Sequence, residues 1–196
     1  MKGRIALAAL LGGLTLFVWG ALSHMVLQLG DAGMRAAPPA PGDQALLDTL
    51  HATLGEDGLY FFPGMDMAKR GDDATMKEWA ERTETNPHGI IIYNNAAYGG
   101  MGGQLAVEFV TDVGVALLAA ILLSWTLGCC AGLACRVGFV TLLGLLTAYR
   151  PIQHWNWYEF PCTYTCAQVA DGVLGFLLMG IVISLVVKSK PAALAT

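Results

Sequence analysis

Four apolar stretches, each long enough to cross a lipid bilayer, constrain the fold of this chain more than any other feature. They run from about Ile5 to Leu29, Gln104 to Leu127, Leu133 to Arg150 and Cys166 to Val187. A bilayer core about 30 Å thick needs roughly 20 helical residues, so each stretch can form one transmembrane helix. Charged residues make up only 13% of the chain and hydrophobic residues 55%, which argues against a disordered chain and a water-soluble globular protein.

The starts of the first and fourth stretches carry further signals. Lys2 and Arg4 precede the first apolar run and small residues follow it, as in a secretory signal peptide. The run is longer than the apolar core of a typical signal peptide, which favours a retained membrane helix.

The fourth helix is predicted to begin at Cys166, because Thr165 and Gln168 have the spacing of a capping box.

The placement of lysine and arginine predicts the orientation of the chain in the membrane. Segment 31–103 holds 11 acidic and five basic residues. The opposite side carries no acid and the bases Lys2, Arg4, Arg136, Lys188 and Lys190. The positive-inside rule therefore predicts cytoplasmic N- and C-termini and an extracytoplasmic segment 31–103. A net charge of −4 without a basic tract argues against a nucleic-acid partner.

Segment 31–103 is too long for a simple loop. A flexible proline-rich linker over residues 36–42 opens it. Apolar spacing, capping residues and turn signals then predict two helices and two strands, at about Asp43–Leu54, Leu59–Phe62, Asp73–Arg82 and Gly89–Tyr93. The apolar content of this segment is modest, so we expect it to rest on the membrane helices or on another protein.

The predicted fold is a mainly α membrane protein, with four transmembrane helices and a small α+β extracytoplasmic insertion between helices 1 and 2. The predicted domains are residues 1–30 (helix 1), residues 31–103 (the insertion), residues 104–190 (helices 2–4) and residues 191–196 (a cytoplasmic tail).

Polar side chains form a predicted layer near the extracytoplasmic ends of the membrane helices. Its members come from all four predicted helices or from the residues next to them: His24, Gln28, Glu108, Asp112, Arg150, His154 and Asp171. Glu108 and Asp112 are four residues apart and share one helix face. Ionisable groups within a membrane are costly unless they are paired or hydrated, so such a layer indicates a functional site.

Three interpretations of this layer remain open. Arg150 can form a structural ion pair with Asp171 or Asp112. The carboxylates can instead line a proton or ion pathway. A metal site for Zn, Mn or Fe can be built from His24, His154, Glu108 and Asp112, although no spacing signature supports it.

The five cysteines divide between the two predicted sides. Cys162 and Cys166 lie on the extracytoplasmic side, where disulfides persist, and are candidates for a local disulfide before the fourth helix. Two free thiols are the alternative, because an i, i+4 bridge within a regular helix is strained. Cys129, Cys130 and Cys135 are predicted to be reduced and to pack as small apolar residues.

Aromatic residues are concentrated between the third and fourth stretches: Trp155, Trp157, Tyr158 and Phe160. Such a cluster is typical of an interfacial aromatic belt. Contact with a bound lipid, quinone or pigment is the functional alternative, because exposed rings also stack on such groups. No other cofactor is predicted.

The insertion carries several short motifs before the next membrane span: Tyr60-Phe61-Phe62-Pro63-Gly64, Trp79, Pro87-His88-Gly89 and Ile92-Tyr93. This arrangement resembles a group of uncharacterised bacterial inner-membrane proteins, in which one N-terminal helix precedes a short periplasmic segment with similar Tyr-x-x-Pro-Gly and Gly-x-x-x-Tyr elements. The resemblance covers about the first two-thirds of the chain. It implies a location in the bacterial inner membrane, with residues 31–103 in the periplasm, and assigns no functional residue.

The function expected from these features is that of a non-catalytic accessory or structural subunit of a larger membrane complex, respiratory or photosynthetic for example. The sequence contains no catalytic motif, and the expected partners are the lipid bilayer and other membrane-protein subunits. The alternatives are a small proton- or ion-coupled transport protein that uses the acidic cluster, and a membrane metal or redox protein with His24 and His154 as ligands.

Overall fold

The computed structural model describes residues 2–96 and 100–188. These residues divide into two compact units. The helical unit comprises Met1–Met34 and Gly100–Thr196, and the αβ unit comprises Arg35–Gly99. Lys190 and the predicted tail 191–196 lie outside the described residues.

The described elements follow one another along the chain as α1 (Lys2–Ala21), α2 (Gln44–Thr53), β1 (Gly58–Phe62), α3 (Asp73–Thr85), β2 (Gly89–Tyr93), α4 (Gly102–Thr126), α5 (Leu133–Thr147), α6 (Tyr149–Tyr158) and α7 (Cys162–Val186). A π-helical turn over Leu22–Val26 extends α1. Four helical segments are long and apolar enough to cross a membrane: Lys2–Val26, Gly102–Thr126, Leu133–Tyr158 and Cys162–Val186. The predicted mainly helical fold, with four such helices and a small sheet, is confirmed.

The fourth long helix begins earlier than the sequence predicts. It begins at Cys162, with Pro161 before it in extended backbone, rather than at Cys166. The fixed φ of proline allows the chain to enter a helix at once. Thr165 and Gln168 therefore lie inside α7 and form no capping box, so that prediction is wrong.

The third long helix continues past its predicted end at Arg150. A break separates α5 from α6, and Pro151 lies in the first turn after it. Proline has no N–H and cannot donate to the carbonyl of Thr147 four residues earlier, which accounts for the break. The chain then resumes a helical path to Tyr158, so Arg150 and His154 both lie on α6.

In the helical unit, α1 packs between α4 and α7, and α7 also packs against α5. Each of these three pairs is antiparallel, so one end of the unit carries Lys2, Lys188 and the α4–α5 turn. We call this the terminal end and the opposite one the distal end. Glycines allow the closest approaches: a Cβ added to Gly13 would lie 2.6 Å from Val113 Cα, and one added to Gly144 would lie 2.6 Å from Phe176 Cβ.

The core of the helical unit lies in its terminal half. The contiguous cluster of buried residues consists of Ala8, Ala116, Ala119, Ala120, Leu123, Leu127, Val140, Met179, Ile183 and Val187. In the distal half, Ala148 is the one buried apolar side chain within the described ranges. The helices are therefore tightly packed at the terminal end and open at the distal end.

The αβ unit has a two-stranded antiparallel sheet in which Gly58 pairs with Tyr93 and Phe62 with Gly89. Helix α3 joins the strands and is held beside the end of β1, because Trp79 Nε1 donates to the Pro63 carbonyl at 2.9 Å. Among the described residues of this unit only Pro63 is buried. The unit therefore has almost no apolar core.

Asp72 caps α3, one residue before the predicted cap at Asp73. Its carboxylate accepts hydrogen bonds from the backbone N–H of Thr75 at 2.9 Å and from the Thr75 hydroxyl at 2.8 Å. The backbone bond first, and the hydroxyl bond second, lower the pKa of Asp72 below its ordinary value of 3.8. Because the folded-state pKa is depressed, these bonds stabilise α3 above the unfolded-state pKa, and their contribution is lost as the pH falls through the folded-state pKa.

We expect Thr75→Val to move the pKa of Asp72 part of the way back toward its ordinary value, because the larger contribution of the backbone N–H remains. Carboxyl-carbon NMR titration of the full chain in micelles measures this midpoint. Thr49→Val is the matched control, since the Thr49 hydroxyl donates to the Ala45 carbonyl and to no carboxylate. An Asp72 midpoint at or above the ordinary value would contradict the cap.

Candidate functional site

The break between α5 and α6 opens a cavity of about 310 Å³ against α7. We call it the kink cavity. Its polar lining comes from both sides of the break and from the first half of α7: Thr147, Arg150, His154, Tyr164, Gln168 and Asp171. The proline break positions this site, because α7 packs closely against α5, which ends at Thr147, and only loosely against α6, which follows the break.

Arg150 and Asp171 face the kink cavity without pairing. No ion pair of 4.0 Å or less involves either side chain in the part of the chain that the structure describes. Asp171 Oδ1 is buried and has no hydrogen-bond partner there. The backbone carbonyl of Asp171 accepts from Trp19 Nε1 at 3.2 Å, which ties α1 to α7. The predicted ion pair of Arg150 with Asp171 or Asp112 is therefore not formed.

Aromatic rings cluster around His154 and Tyr164, two of the residues that line the kink cavity. The ring of His154 lies 5.1 Å from that of Phe160 and 6.0 Å from that of Tyr158, and Phe160 lies 5.4 Å from Tyr164. Trp155 and Trp157 are exposed on α6. The interfacial belt that these residues suggested stays a prediction.

The acidic pair of α4 lies apart from the kink cavity. Glu108 is exposed and Asp112 half-buried. Neither makes a hydrogen bond or ion pair with Arg150, His154 or Asp171 within the described ranges. Helix α1 accounts for the separation, because it lies between α4 and α7.

The remaining predicted members of the polar layer lie at the end of α1. His24 Nδ1 is 2.9 Å from Ser23 Oγ and 3.1 Å from the Gly20 carbonyl oxygen. Gln28 has a left-handed backbone with a φ of 54°, and the backbone N–H of Leu29 after it donates to the Ser23 carbonyl at 2.8 Å. The predicted layer is thus divided among three places.

A metal site gains no support from this arrangement. Residues 2–96 and 100–188 contain no group of three or more His, Cys, Asp or Glu side chains that could hold a metal ion. His24, His154, Glu108 and Asp112, the four proposed ligands, are distributed over α1, α4 and α6.

The cysteine pairing differs from the prediction. Cys162 and Cys166 are thiols with their sulfur atoms 3.9 Å apart, because both lie within regular helix α7, where an i, i+4 bridge is strained. The disulfide joins Cys130 and Cys135 instead, whose Cα atoms are 5.5 Å apart across the start of α5. The prediction that both of these cysteines are reduced is wrong for the structure. Cys129 is an exposed thiol.

Sequence reasoning missed three polar residues of the kink cavity: Thr147, Tyr164 and Gln168. A proline within an apolar helical pattern was the available signal, since Pro151 predicts a break whose neighbours lose their regular packing.

The fold and site define a class of protein with four helices long enough to span a membrane, a small α+β unit and a polar cavity at a helix break. Comparison of the chain with protein-family models, curated proteins and solved structures found no match.

Proposed function

We propose that this chain is a non-catalytic accessory subunit of a larger bacterial inner-membrane assembly, and that a helix of a partner protein packs into the open distal half of the helical unit. In this proposal the terminal end is cytoplasmic, and the distal end and the αβ unit are periplasmic. The Cys130–Cys135 pair at the terminal end is then reduced to two thiols in the cell, because the cytoplasm keeps thiols reduced. The confinement of the core to the terminal half carries the proposal.

Two leucines on the same face of α4 differ in how far they are buried. Leu105 and Leu123 are separated by about five turns at roughly 3.6 residues per turn, so their side chains leave the helix in the same direction. Leu123 is fully buried, whereas Leu105 is 45% exposed. The stripe that faces the core at the terminal end is therefore only partly covered at the distal end. A partner helix is the simplest cover for it.

The carboxylate of Asp112 also favours a partner protein. It lies within about 20° of the Leu105–Leu123 direction, on the same open stripe. A carboxylate at this depth in a membrane is costly unless it is paired or hydrated. A partner that brings a basic or hydrogen-bonding side chain to this stripe would satisfy Asp112.

The αβ unit supports the same function. Leu59, Phe61 and Ile92 lie on one face of the sheet and are 57%, 52% and 82% exposed. A domain of this size normally depends on a buried core or on association. Separation of the acidic residues into two places also favours this function over a proton- or ion-coupled pathway, which needs groups within hydrogen-bond reach of one another.

Site-specific photo-cross-linking in intact membranes tests the proposal. A photoreactive residue at Leu105 is expected to give a discrete protein adduct. The matched control is Val107, which is 68% exposed and points about 160° away from Leu105 at the same depth. Native mass analysis after gentle extraction should show the same adduct partner bound without cross-linking. A stable monomer, with no protein adduct at Leu105, contradicts the proposal.

A further inference from the structure

We propose that the helical unit binds an aminophospholipid, with its phosphate and ammonium groups in the kink cavity between Arg150 and Asp171 and an acyl chain in an apolar groove between α1 and α7. This site is independent of whether a partner protein covers the distal half.

The groove is a second cavity, of about 430 Å³. We call it the apolar groove. Its lining comes from one face of α1 and from the second half of α7, and consists mainly of Leu14, Val18, Leu22, Leu178 and Val182. Leu14, Leu22 and Leu178 are all partly exposed, so the groove is open to whatever surrounds the helices. In a bilayer these surroundings are acyl chains.

The two cavities lie on one line along α7. Leu178 and Val182 follow Asp171 by seven and 11 residues, which places both within about 20° of the direction of Asp171. At about 1.5 Å per residue, they lie roughly 10 and 16 Å further along the helix. Trp19 spans the junction, because it lines the groove and its Nε1 donates to the Asp171 carbonyl. A polar cavity and an apolar groove that follow one another along the same helix are suited to the headgroup and the acyl chain of an amphiphile.

The charges of the kink cavity specify the headgroup. The guanidinium of Arg150 is a donor suited to a phosphate. Asp171 Oδ1 is a buried acceptor that lacks a donor in the described structure. The two charges line one cavity and form no ion pair with each other, so a ligand with an anionic and a cationic group satisfies both. Tyr164 and Gln168 add hydrogen-bonding groups beside them.

Among phospholipids, these features favour a primary ammonium. A phosphatidylglycerol headgroup carries the phosphate without a cation, and a phosphatidylcholine headgroup carries a cation without N–H donors. Only the aminophospholipid provides both the phosphate for Arg150 and an N–H donor for Asp171.

Native mass spectrometry of the delipidated full chain with phosphatidylethanolamine, phosphatidylglycerol and phosphatidylcholine of identical acyl chains tests the proposal. We expect roughly tenfold stronger retention of phosphatidylethanolamine, as for one charge-assisted hydrogen bond. Asp171→Asn should remove the preference for phosphatidylethanolamine over phosphatidylglycerol, and Arg150→Gln should weaken the binding of all three lipids. Lys188→Gln is the control, because Lys188 is an exposed cation that lines neither cavity.

Leu178→Trp provides a second test that leaves Arg150 and Asp171 in place. The larger ring should fill the apolar groove and lower the retention of phosphatidylethanolamine severalfold. Equal retention of the three lipids by the wild type, an unchanged preference in Asp171→Asn, or full retention by Leu178→Trp overturns the proposal. Displacement of the lipid by an equimolar amount of soluble phosphoethanolamine also overturns it, since the site would then recognise a headgroup without a chain.

Discussion

Replacing Gly13 by alanine is expected to lower the free energy of unfolding of the helical unit by about 1–3 kcal/mol, the usual effect of overpacking. An added Cβ would lie 2.6 Å from Val113 Cα and 2.8 Å from Val113 N. These atoms belong to the backbone of α4 and cannot rotate away. The two helices must therefore move apart, and the contacts of α1 with α4 near Gly13 must weaken.

Gly20→Ala on the same helix is the matched control for this prediction. A Cβ at Gly20 would meet no atom within 4 Å, and alanine is a better helix former than glycine. We therefore expect Gly20→Ala to leave the helical unit as stable as the wild type or slightly more stable. Denaturation in mixed micelles, followed by circular dichroism, compares the two variants. Equal stability of the two variants would show that α1 and α4 are not in close contact at Gly13.

The positions of the long helices and strands were largely predictable from sequence, because each depends on local patterns. Strand β2 occupies the predicted residues Gly89–Tyr93, and α4 begins two residues before its predicted start. An apolar run long enough to cross a bilayer, or a run of β-branched residues, can be recognised from residues that are adjacent in the sequence. The errors lie where proline acts: Pro161 starts α7 early, and Pro151 divides the third long helix without ending it.

The candidate site was only partly predictable, because sequence gives the depth of a residue along its helix and not its neighbours. Arg150, His154 and Asp171 are three of the seven residues of the predicted layer, and all three line the kink cavity. Asp112 has a comparable depth, yet it is separated from them by α1. The order in which helices pack is set by contacts such as Gly13 with Val113, which no single sequence motif specifies.

Leu123→Ala should lower the free energy of unfolding more than Gly13→Ala does. Comparing Leu123→Ala with Leu105→Ala tests whether the core is confined to the terminal half, the observation on which the proposed function depends. Leu123 is fully buried in the core, so its truncation leaves a cavity and is expected to cost about 2–5 kcal/mol of unfolding free energy. Leu105 is 45% exposed, and its truncation in the isolated chain should change the stability by less than about 0.5 kcal/mol. Both values come from denaturation of the purified chain in micelles.

The same pair of substitutions behaves differently if a partner helix covers the distal half. Leu105 would then be buried in the assembly, so Leu105→Ala should weaken association without destabilising the isolated chain. Leu123→Ala should destabilise the chain in both states by a similar amount. Both variants replace a leucine by alanine on the same face of α4. They differ only in whether the leucine lies at the distal or the terminal end of the helix. Comparable losses of stability in the isolated chain would mean that the distal half is already packed, which would remove the reason for a partner at this stripe.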